Sequence, residues 1–202
     1  PMPNTPGTAD GLSNYSISTP KDQIMRQPVA RVDHNFSPNH RMFVRYSQTN
    51  FDGHFDKYVP DSTVRGRSRK RPHRGVALDN VFVLSPETVL DVRYGFTWFS
   101  EVQDFDNKGW DLHEFGFPES LISQLNPEGI SFPTINTDHY LTLGNDGGYT
   151  RTYYTHTLSN VVTWIKGNHS AKFGADLRLY FENNKTFGDV SPQLNFSPTY
   201  TR

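Results

Sequence analysis

Three separate segments of the chain alternate apolar and polar residues, and each segment folds about a short turn. The turns are Ser-Pro-Asn-His from Ser37, Ser-Pro-Glu-Thr from Ser85, and Gly-Asn from Gly167. Strict alternation over several residues is typical of β-strands with one apolar and one wet face. The sequence therefore predicts three antiparallel hairpins, at about residues 28–50, 74–102 and 151–183.

The turn lengths set the predicted register of the hairpins, because pairing decides which side chains share a face. A three-residue loop in the first hairpin puts Ser37 opposite Arg41. Asp33 then lies opposite Arg45, with Arg31 on the same polar face.

The same construction in the second hairpin puts Ser85 opposite Val89 and Val81 opposite Arg93. The two-residue turn at Gly167 suits a positive φ and puts Trp164 opposite Ala171. All three hairpins then sort into one apolar face and one polar face. The residues predicted for the polar face are Arg31, Asp33, Arg45, Asp91, Arg93, Lys172, Asp176 and Arg178.

Short and long connections alternate along the chain. The tight turns have two or three residues, whereas the segments 51–73 and 103–150 are long. Outer-membrane β-barrels have this asymmetry, with short periplasmic turns and long extracellular loops, and a strand of about ten residues spans their membrane. Aromatic residues near both strand ends suit the two interfacial girdles; they are Phe36, Tyr46, Phe82, Trp98, Tyr154, Trp164, Phe173 and Phe181. Four polar residues break the apolar face: His34, Asn80, His156 and Asn160.

Composition fits a β protein with wet strand faces. Only 34% of the residues are hydrophobic and mean hydropathy is -0.67, yet aromatic residues reach 14%, which is unlike a disordered chain. The net charge of -1 gives no overall attraction to nucleic acid, and the chain has no cysteine. No apolar run is long enough for a transmembrane helix, and the first residues lack the pattern of a secretory signal. A soluble antiparallel sheet packed on a core remains the alternative fold.

The first hairpin and its surroundings resemble the barrel of Oar-like TonB-dependent receptors. The resemblance rests on "RVDHNFS" from Arg31, on "RYS" from Arg45, and on later pieces such as "VFVLSPETVLDVRYGF", "LTLGNDGGY" and "WIKGNHSAKFGADLR". It runs from about Leu12 to Arg178. It implies a bacterial outer-membrane protein with a barrel of about 22 strands around a plug. It also implies that the TonB complex powers import through this barrel.

The chain contains no visible plug or TonB box, so we expect residues 1–202 to be an internal piece of such a barrel. Six strands fall short of the roughly eight that close a small membrane barrel. The fold class expected is therefore all-β, an antiparallel meander of amphipathic hairpins forming part of a transmembrane β-barrel, with short turns on one edge and long loops on the other. The eight residues predicted for the polar face are expected to face the lumen of this barrel and its plug. The resemblance implies uptake of a nutrient, an oligosaccharide, peptide or chelated metal. Expected partners are the rest of the barrel, its plug, TonB, lipid and lipopolysaccharide. A secreted soluble β-rich module that binds carbohydrate is the alternative function.

Two groups of loop residues are candidates for binding. The segment "RGRSRKRPHR" is strongly basic and could contact lipopolysaccharide phosphates or an anionic ligand, or could be a solvated loop; without interleaved aromatics it does not indicate nucleic-acid binding. Aromatic residues of the second long loop suit sugars or peptides at an extracellular mouth. The candidates are Arg65, Arg67, Arg69, Lys70, Arg71, Trp110, Phe115, Phe117 and Tyr140.

Metal and catalytic signals are weak. Asp52, His54 and Asp56 could supply ligands but do not form a closed set, and "GNDGGY" has a single carboxylate. No nucleophile elbow, phosphate loop or HExxH motif is present. We therefore expect that the protein is not an enzyme and that it binds no metal ion and no cofactor.

Overall fold

One long antiparallel sheet dominates the computed structural model. Its first strands are β1 (Asp22–Arg26), β2 (Val29–Ser37), β3 (His40–Phe55), β4 (Arg67–Ser85) and β5 (Thr88–Phe105). After the second long connection come β7 (Tyr149–Lys166) and β8 (His169–Thr186). The strands lie in the order β1-β3-β4-β5-β7-β8, with β2 also paired to β3. The structure describes residues 2–55, 57–58, 66–138, 140–144, 147–188, 190–197 and 199.

Strands β1 and β2 are two halves of one edge strand. Asp22 pairs with His54 and Val29 pairs with Ser47, so both halves follow one register along the same side of β3. The break falls at Gln27 and Pro28, because proline has no N–H to donate to the ladder. The Pro28 carbonyl still accepts a hydrogen bond from the Gln48 N–H at 3.0 Å. The first half of this strand lies before the start predicted for the first hairpin.

The register predicted for the first two hairpins is wrong by two residues. Ser37 lies opposite His40 and Asn35 lies opposite Arg41, so the turn has two residues and the strand bulges at Phe36. The second hairpin repeats this arrangement, with Ser85 opposite Thr88. The turn is one residue shorter than predicted, which accounts for one residue of the shift. The extra residue in the bulge accounts for the other. Two residues are one full pleat, so every side chain still lies on its predicted face.

The two Ser-Pro turns have the same local geometry. The Asn39 N–H donates to Ser37 Oγ at 3.2 Å, and the Glu87 N–H donates to Ser85 Oγ, also at 3.2 Å. Proline fixes φ near -65° at the first turn position, which excludes the turn types that match strand twist directly, and the bulge absorbs the mismatch. Each turn also binds the next hairpin, because the Asn39 and Glu87 carbonyls accept from the N–H groups of Val83 and Ile165, both at 2.8 Å.

The third hairpin confirms its predicted register. Trp164 lies opposite Ala171, and the pairing continues without a shift along the whole of β7 and β8. Gly167 has φ 58°, as the first position of a mirror-image two-residue turn requires. No proline enters this turn, so no bulge is needed.

The strands are much longer than the ten residues predicted. Strand β3 has 16 residues, β4 has 19, and β5, β7 and β8 have 18 each. The segment 51–73 was predicted to be a loop, but most of it is strand, with only residues 56–66 between β3 and β4. The ladder between β4 and β5 is interrupted at Arg71 and Pro72, since Lys70 pairs with Val102 and the next pair is His73 with Phe99.

The second long connection contains a small folded unit, which we call the loop cap. It comprises a 3₁₀ turn (Leu112–Phe115), α1 (Glu119–Ile122) and β6 (Thr134–Thr137). Strand β9 (Gln193–Phe196) follows β8 and pairs with β6 in parallel. Hydrogen bonds between Ser131 and Ser191 fasten the two segments, the Ser131 N–H donating to Ser191 Oγ at 2.8 Å.

The observed register of the first hairpin can be tested with cysteine pairs, because the chain has no native cysteine. Arg31 lies directly opposite Arg45. We expect Arg31→Cys with Arg45→Cys to form a disulfide on mild oxidation, since directly opposed Cα atoms are about 5 Å apart. The matched pair Asp33→Cys with Arg45→Cys is diagonal and should stay reduced. Gel mobility before and after reduction measures both, and the reverse result would restore the register predicted from sequence.

Candidate functional site

The apolar face of the sheet is not covered by a second layer. The buried hydrophobic residues in the described part of the chain are Leu112, Phe132 and Val190, all on the loop side. On the strands, Phe173 is 60% exposed and Leu177 57% exposed. A soluble sandwich would bury these side chains in its core. An uncovered apolar face of this extent indicates contact with lipid or another apolar surface.

The apolar face ends at a definite height. Directly opposed residues on successive strands form rungs, and Trp98, Tyr154 and Phe181 share the last apolar rung of β5, β7 and β8. The next rung contains Asn50, Pro72, Ser100, Thr152 and Asn183. On β3 and β4 the change comes one rung nearer the turns, at Gln48 and Arg74, as tilted strands require. We call the apolar face between the turns and this boundary the belt.

The height of the belt matches a bilayer. From Thr88 to Trp98, β5 runs for about 33 Å at ~3.3 Å per residue. A tilt of about 40° reduces this to roughly 25 Å, which matches the ~25 Å apolar band of outer-membrane barrels. Each long strand therefore crosses the belt with its turn-side half and continues beyond it with its loop-side half.

Three polar residues within the belt are hydrogen-bonded to a neighbour, and a fourth packs against an aromatic ring. His40 Nε2 lies 3.2 Å from Asn80 Oδ1, and the His156 Nδ1 atom lies 2.8 Å from the Tyr94 hydroxyl. His34 packs edge-on against Phe36, their ring centroids 4.4 Å apart. These local contacts reduce the cost of placing polar groups on an apolar face. Asn160 lies beside Ala175 on the same face.

The polar face carries a charge network behind the belt. Arg93 donates to Asp79, which is 4% exposed, from Nε at 2.6 Å, and its Nη2 lies 3.7 Å from Asp91. Arg31 donates to Asp33 at 2.6 Å. These groups line a depression of about 360 Å³. Positive and negative charges alternate across it, which suits a water-filled interior or a charged partner.

All eight residues predicted for the polar face lie on that face, but their pairing differs from the prediction. Asp33 lies opposite Phe43 and pairs with Arg31 on its own strand, so the predicted partner Arg45 is wrong. Arg93 lies opposite Asp79 and not opposite Val81 as predicted. Both corrections follow from the shorter turns and the bulges together. The three members in the third hairpin keep their predicted neighbours: Lys172, Asp176 and Arg178.

Residues 67–74 of the basic segment lie on β4, where their side chains divide between two faces. Lys70 lies on the same face as the belt, beyond its boundary, and pairs in the ladder with Asp52. Arg67, Arg69 and Arg71 lie on the polar face, joined there by Arg151 of β7. We call these four residues the arginine cluster. Strand alternation thus places Lys70 and the arginines on opposite faces of the sheet, and Arg65 lies outside the described residues.

Glu101 is the carboxylate at the centre of the arginine cluster. Its Oε1 accepts hydrogen bonds from Arg71 Nη2 and from the Tyr149 hydroxyl, both at 2.9 Å, and lies 3.3 Å from Arg69 Nε. Burial alone would raise the pKa of Glu101, but the bonds from Arg71 and Tyr149 and the arginine charges lower it below the ordinary value. Burial and the bond to Glu101 raise the pKa of Tyr149.

The loop aromatics divide into packed and exposed residues. Trp110, Phe115 and Phe132 pack against one another, with ring centroids 5.1 to 6.0 Å apart. Trp110 and Phe115 thus help to hold the loop cap together. Tyr140 is 78% exposed and Phe117 is half-buried. Phe132, which sequence reasoning missed, is central because it joins residues distant in the chain.

The described residues contain no group of three or more His, Asp or Glu side chains that could hold a metal ion. Asp52 and His54 share one face of β3, and Asp56 lies outside the described residues, as do Asn145 and Asp146 of the "GNDGGY" segment. No helix in the described part of the chain has the length and apolar character needed to cross a membrane.

A sheet with an uncovered apolar belt of bilayer height, tight turns on one edge and long loops on the other defines the wall of a membrane β-barrel. The whole chain, residues 1–202, matches the family model described as an outer membrane beta barrel domain. The chain therefore belongs to that family, and its location is the bacterial outer membrane. No curated protein and no solved structure matches it. Family membership favours a membrane barrel over a soluble β-rich binding module, which was the alternative that the sequence left open.

The belt boundary predicts different costs for the same charge at two heights on β7. Leu158 lies in the middle of the belt, and Thr152 lies on the same face beyond its edge. Leu158→Arg should lower the unfolding free energy by about 2–4 kcal/mol, because a cation in mid-bilayer is desolvated, and Thr152→Arg should lower it by less than about 1 kcal/mol. Urea unfolding of the full-length protein in lipid vesicles measures both. Equal costs would contradict the boundary.

The lowered pKa of Glu101 predicts a specific acid sensitivity. The ionised carboxylate stabilises the folded state above its ordinary pKa of 4.5, and this stabilisation is lost as pH falls through the lower folded value. Glu101→Gln should destabilise the protein by about 1–3 kcal/mol at pH 7 and should remove this part of the acid dependence. Thermal unfolding between pH 7 and 3 tests it, with exposed Glu114→Gln as control. An unchanged acid profile in Glu101→Gln would exclude the effect.

Proposed function

We propose that the chain forms part of the barrel wall of an Oar-like, TonB-dependent outer-membrane receptor that takes up a nutrient, such as an oligosaccharide, a peptide or a chelated metal. The family establishes an outer-membrane barrel, and the sequence resemblance supports the finer assignment. The observation that carries the proposal is the polar face. It carries charged groups both behind the belt, at Asp79 and Arg93, and far beyond the belt, at Glu101 and the arginine cluster.

In this proposal the polar face lines the lumen. Around the belt, the network of Arg31, Asp33, Asp79 and Arg93 faces a plug, and its mixed charges suit salt bridges with a charged partner. A narrow barrel fills its interior with its own side chains, whereas a wide one encloses a plugged lumen. The depression of about 360 Å³ among these residues leaves room for groups supplied by another part of the barrel.

The loop-side half of the strands forms an extracellular vestibule in the same proposal. The loop cap stands at its rim and presents Tyr140, which is 78% exposed, as a surface on which a sugar or a side chain could stack. Lys70 lies beyond the belt boundary on the outward face, at the level where lipopolysaccharide phosphates are found. This position suits a contact between its ammonium group and those phosphates.

Binding of TonB tests the proposal directly. The full-length protein, purified in detergent, should bind the purified periplasmic domain of TonB saturably, and a porin purified in the same way should not. In planar bilayers it should be closed to ions, because a plug fills the lumen. A stable open conductance together with no TonB binding would identify a passive channel and overturn the proposal.

A further inference from the structure

The arginine cluster has more positive charge than its surroundings neutralise. Arg69, Arg71 and Arg151 surround one carboxylate, Glu101, whose side chain is 12% exposed. Arg71 and Arg151 occupy the same rung on either side of it. These three cations face one anion on the same face of three adjacent strands.

Glu101 satisfies only part of this cluster. The contacts to Arg69, Arg71 and Tyr149 all converge on Oε1. The Nε atoms of Arg71 and Arg151 are buried and make no hydrogen bond, whereas Arg69 Nε forms an ion pair with Glu101 and Arg69 Nη2 donates to Gln103. Arg151 makes no ion pair with any residue in the part of the chain that the structure describes. Buried guanidinium N–H groups without acceptors are costly, which indicates that another acceptor completes the site.

Nearby carboxylates are engaged elsewhere or too distant. Asp104 lies 2.6 Å from Lys108, and Asp106 lies 3.9 Å from Lys57. Glu182 of β8 is exposed one rung nearer the turns and forms no ion pair with the cluster among the described residues. The excess positive charge is therefore not neutralised within the described strands.

Aromatic rings hold the guanidinium groups in place. Arg69 lies over the Phe55 ring at 5.7 Å, Arg71 over Phe51 at 5.7 Å, and Arg151 over Tyr149 at 4.5 Å. Ring contacts of this kind reduce the side-chain entropy lost when an arginine binds a ligand. The cluster is also accessible, since the Arg71 side chain is 38% exposed.

We propose that the arginine cluster binds a small solute that carries two or more carboxylate or phosphate groups. Arg71 and Arg151 lie on β4 and β7, two strand spacings or about 10 Å apart at the backbone. Their long side chains let one ligand with two anionic groups contact both. Planar guanidinium groups bind carboxylate and phosphate with paired hydrogen bonds. Anion binding at this site requires neither TonB binding nor transport by the barrel, so it can be tested separately from the proposed function.

Calorimetric titration of the full-length protein in neutral detergent tests the site, with citrate and pyrophosphate as probes and glucose as the uncharged comparison. We expect saturable binding of at least one anion and none of glucose. Arg71→Gln and Arg151→Gln should each weaken it by about tenfold, because each removes a charge-assisted contact. Binding should also weaken as salt is raised.

Arg74→Gln is the matched control, since it removes one cation from the same strand but from the opposite face. It should leave the affinity unchanged. Glu101→Gln should tighten binding several-fold by removing the competing carboxylate, an effect that loss of structure would not produce. Near-ultraviolet circular dichroism confirms that each variant is folded. Absence of binding by both probes, or equal losses in Arg74→Gln and Arg71→Gln, would overturn the proposal.

Discussion

The fold depends on one constraint, that every backbone N–H and C=O group inside a bilayer must find its partner within the protein. The ladders joining β3, β4, β5, β7 and β8 meet this requirement through the whole belt. Both prolines that interrupt long strands obey it as well. Pro28 lies on the rung at the belt boundary, and Pro72 lies one rung beyond. At these heights water can reach the carbonyl groups that proline leaves without a donor.

The two halves of each long strand lie in different surroundings and are stabilised by different interactions. In the turn-side half, one face contacts lipid and the other carries balanced charges. In the loop-side half both faces are polar, and stability there comes from local networks such as Glu101 with its arginines and from the packed aromatics of the loop cap. Since lipid no longer restricts the outward face, this half can tolerate varied chemistry. A binding site is accordingly expected beyond the belt.

Sequence reasoning predicted which face each strand residue occupies, because alternation needs no knowledge of turn geometry. It missed the two-residue shift in two hairpins, since a proline turn and its compensating bulge leave no hydrophobic signature. It assigned residues 51–73 to a loop because the period-two signal disappears where both faces are polar. The partners of Glu101 could not be predicted either, as Arg71, Tyr149 and Arg151 meet only when three strands are in correct register. The loop cap likewise joins segments about 60 residues apart.

Each Ser-Pro turn binds both its own hairpin and the strand that follows, through the Asn39 and Glu87 carbonyls. The turn therefore carries both the bulge that fixes the register of its own hairpin and the carbonyl that binds the next hairpin. Such a unit could be duplicated in a gene without disturbing the stagger of strands already in place. Barrels assembled from these units would grow in steps of two strands, which gives a physical reason for even strand numbers and for the recurrence of the same turn along one chain.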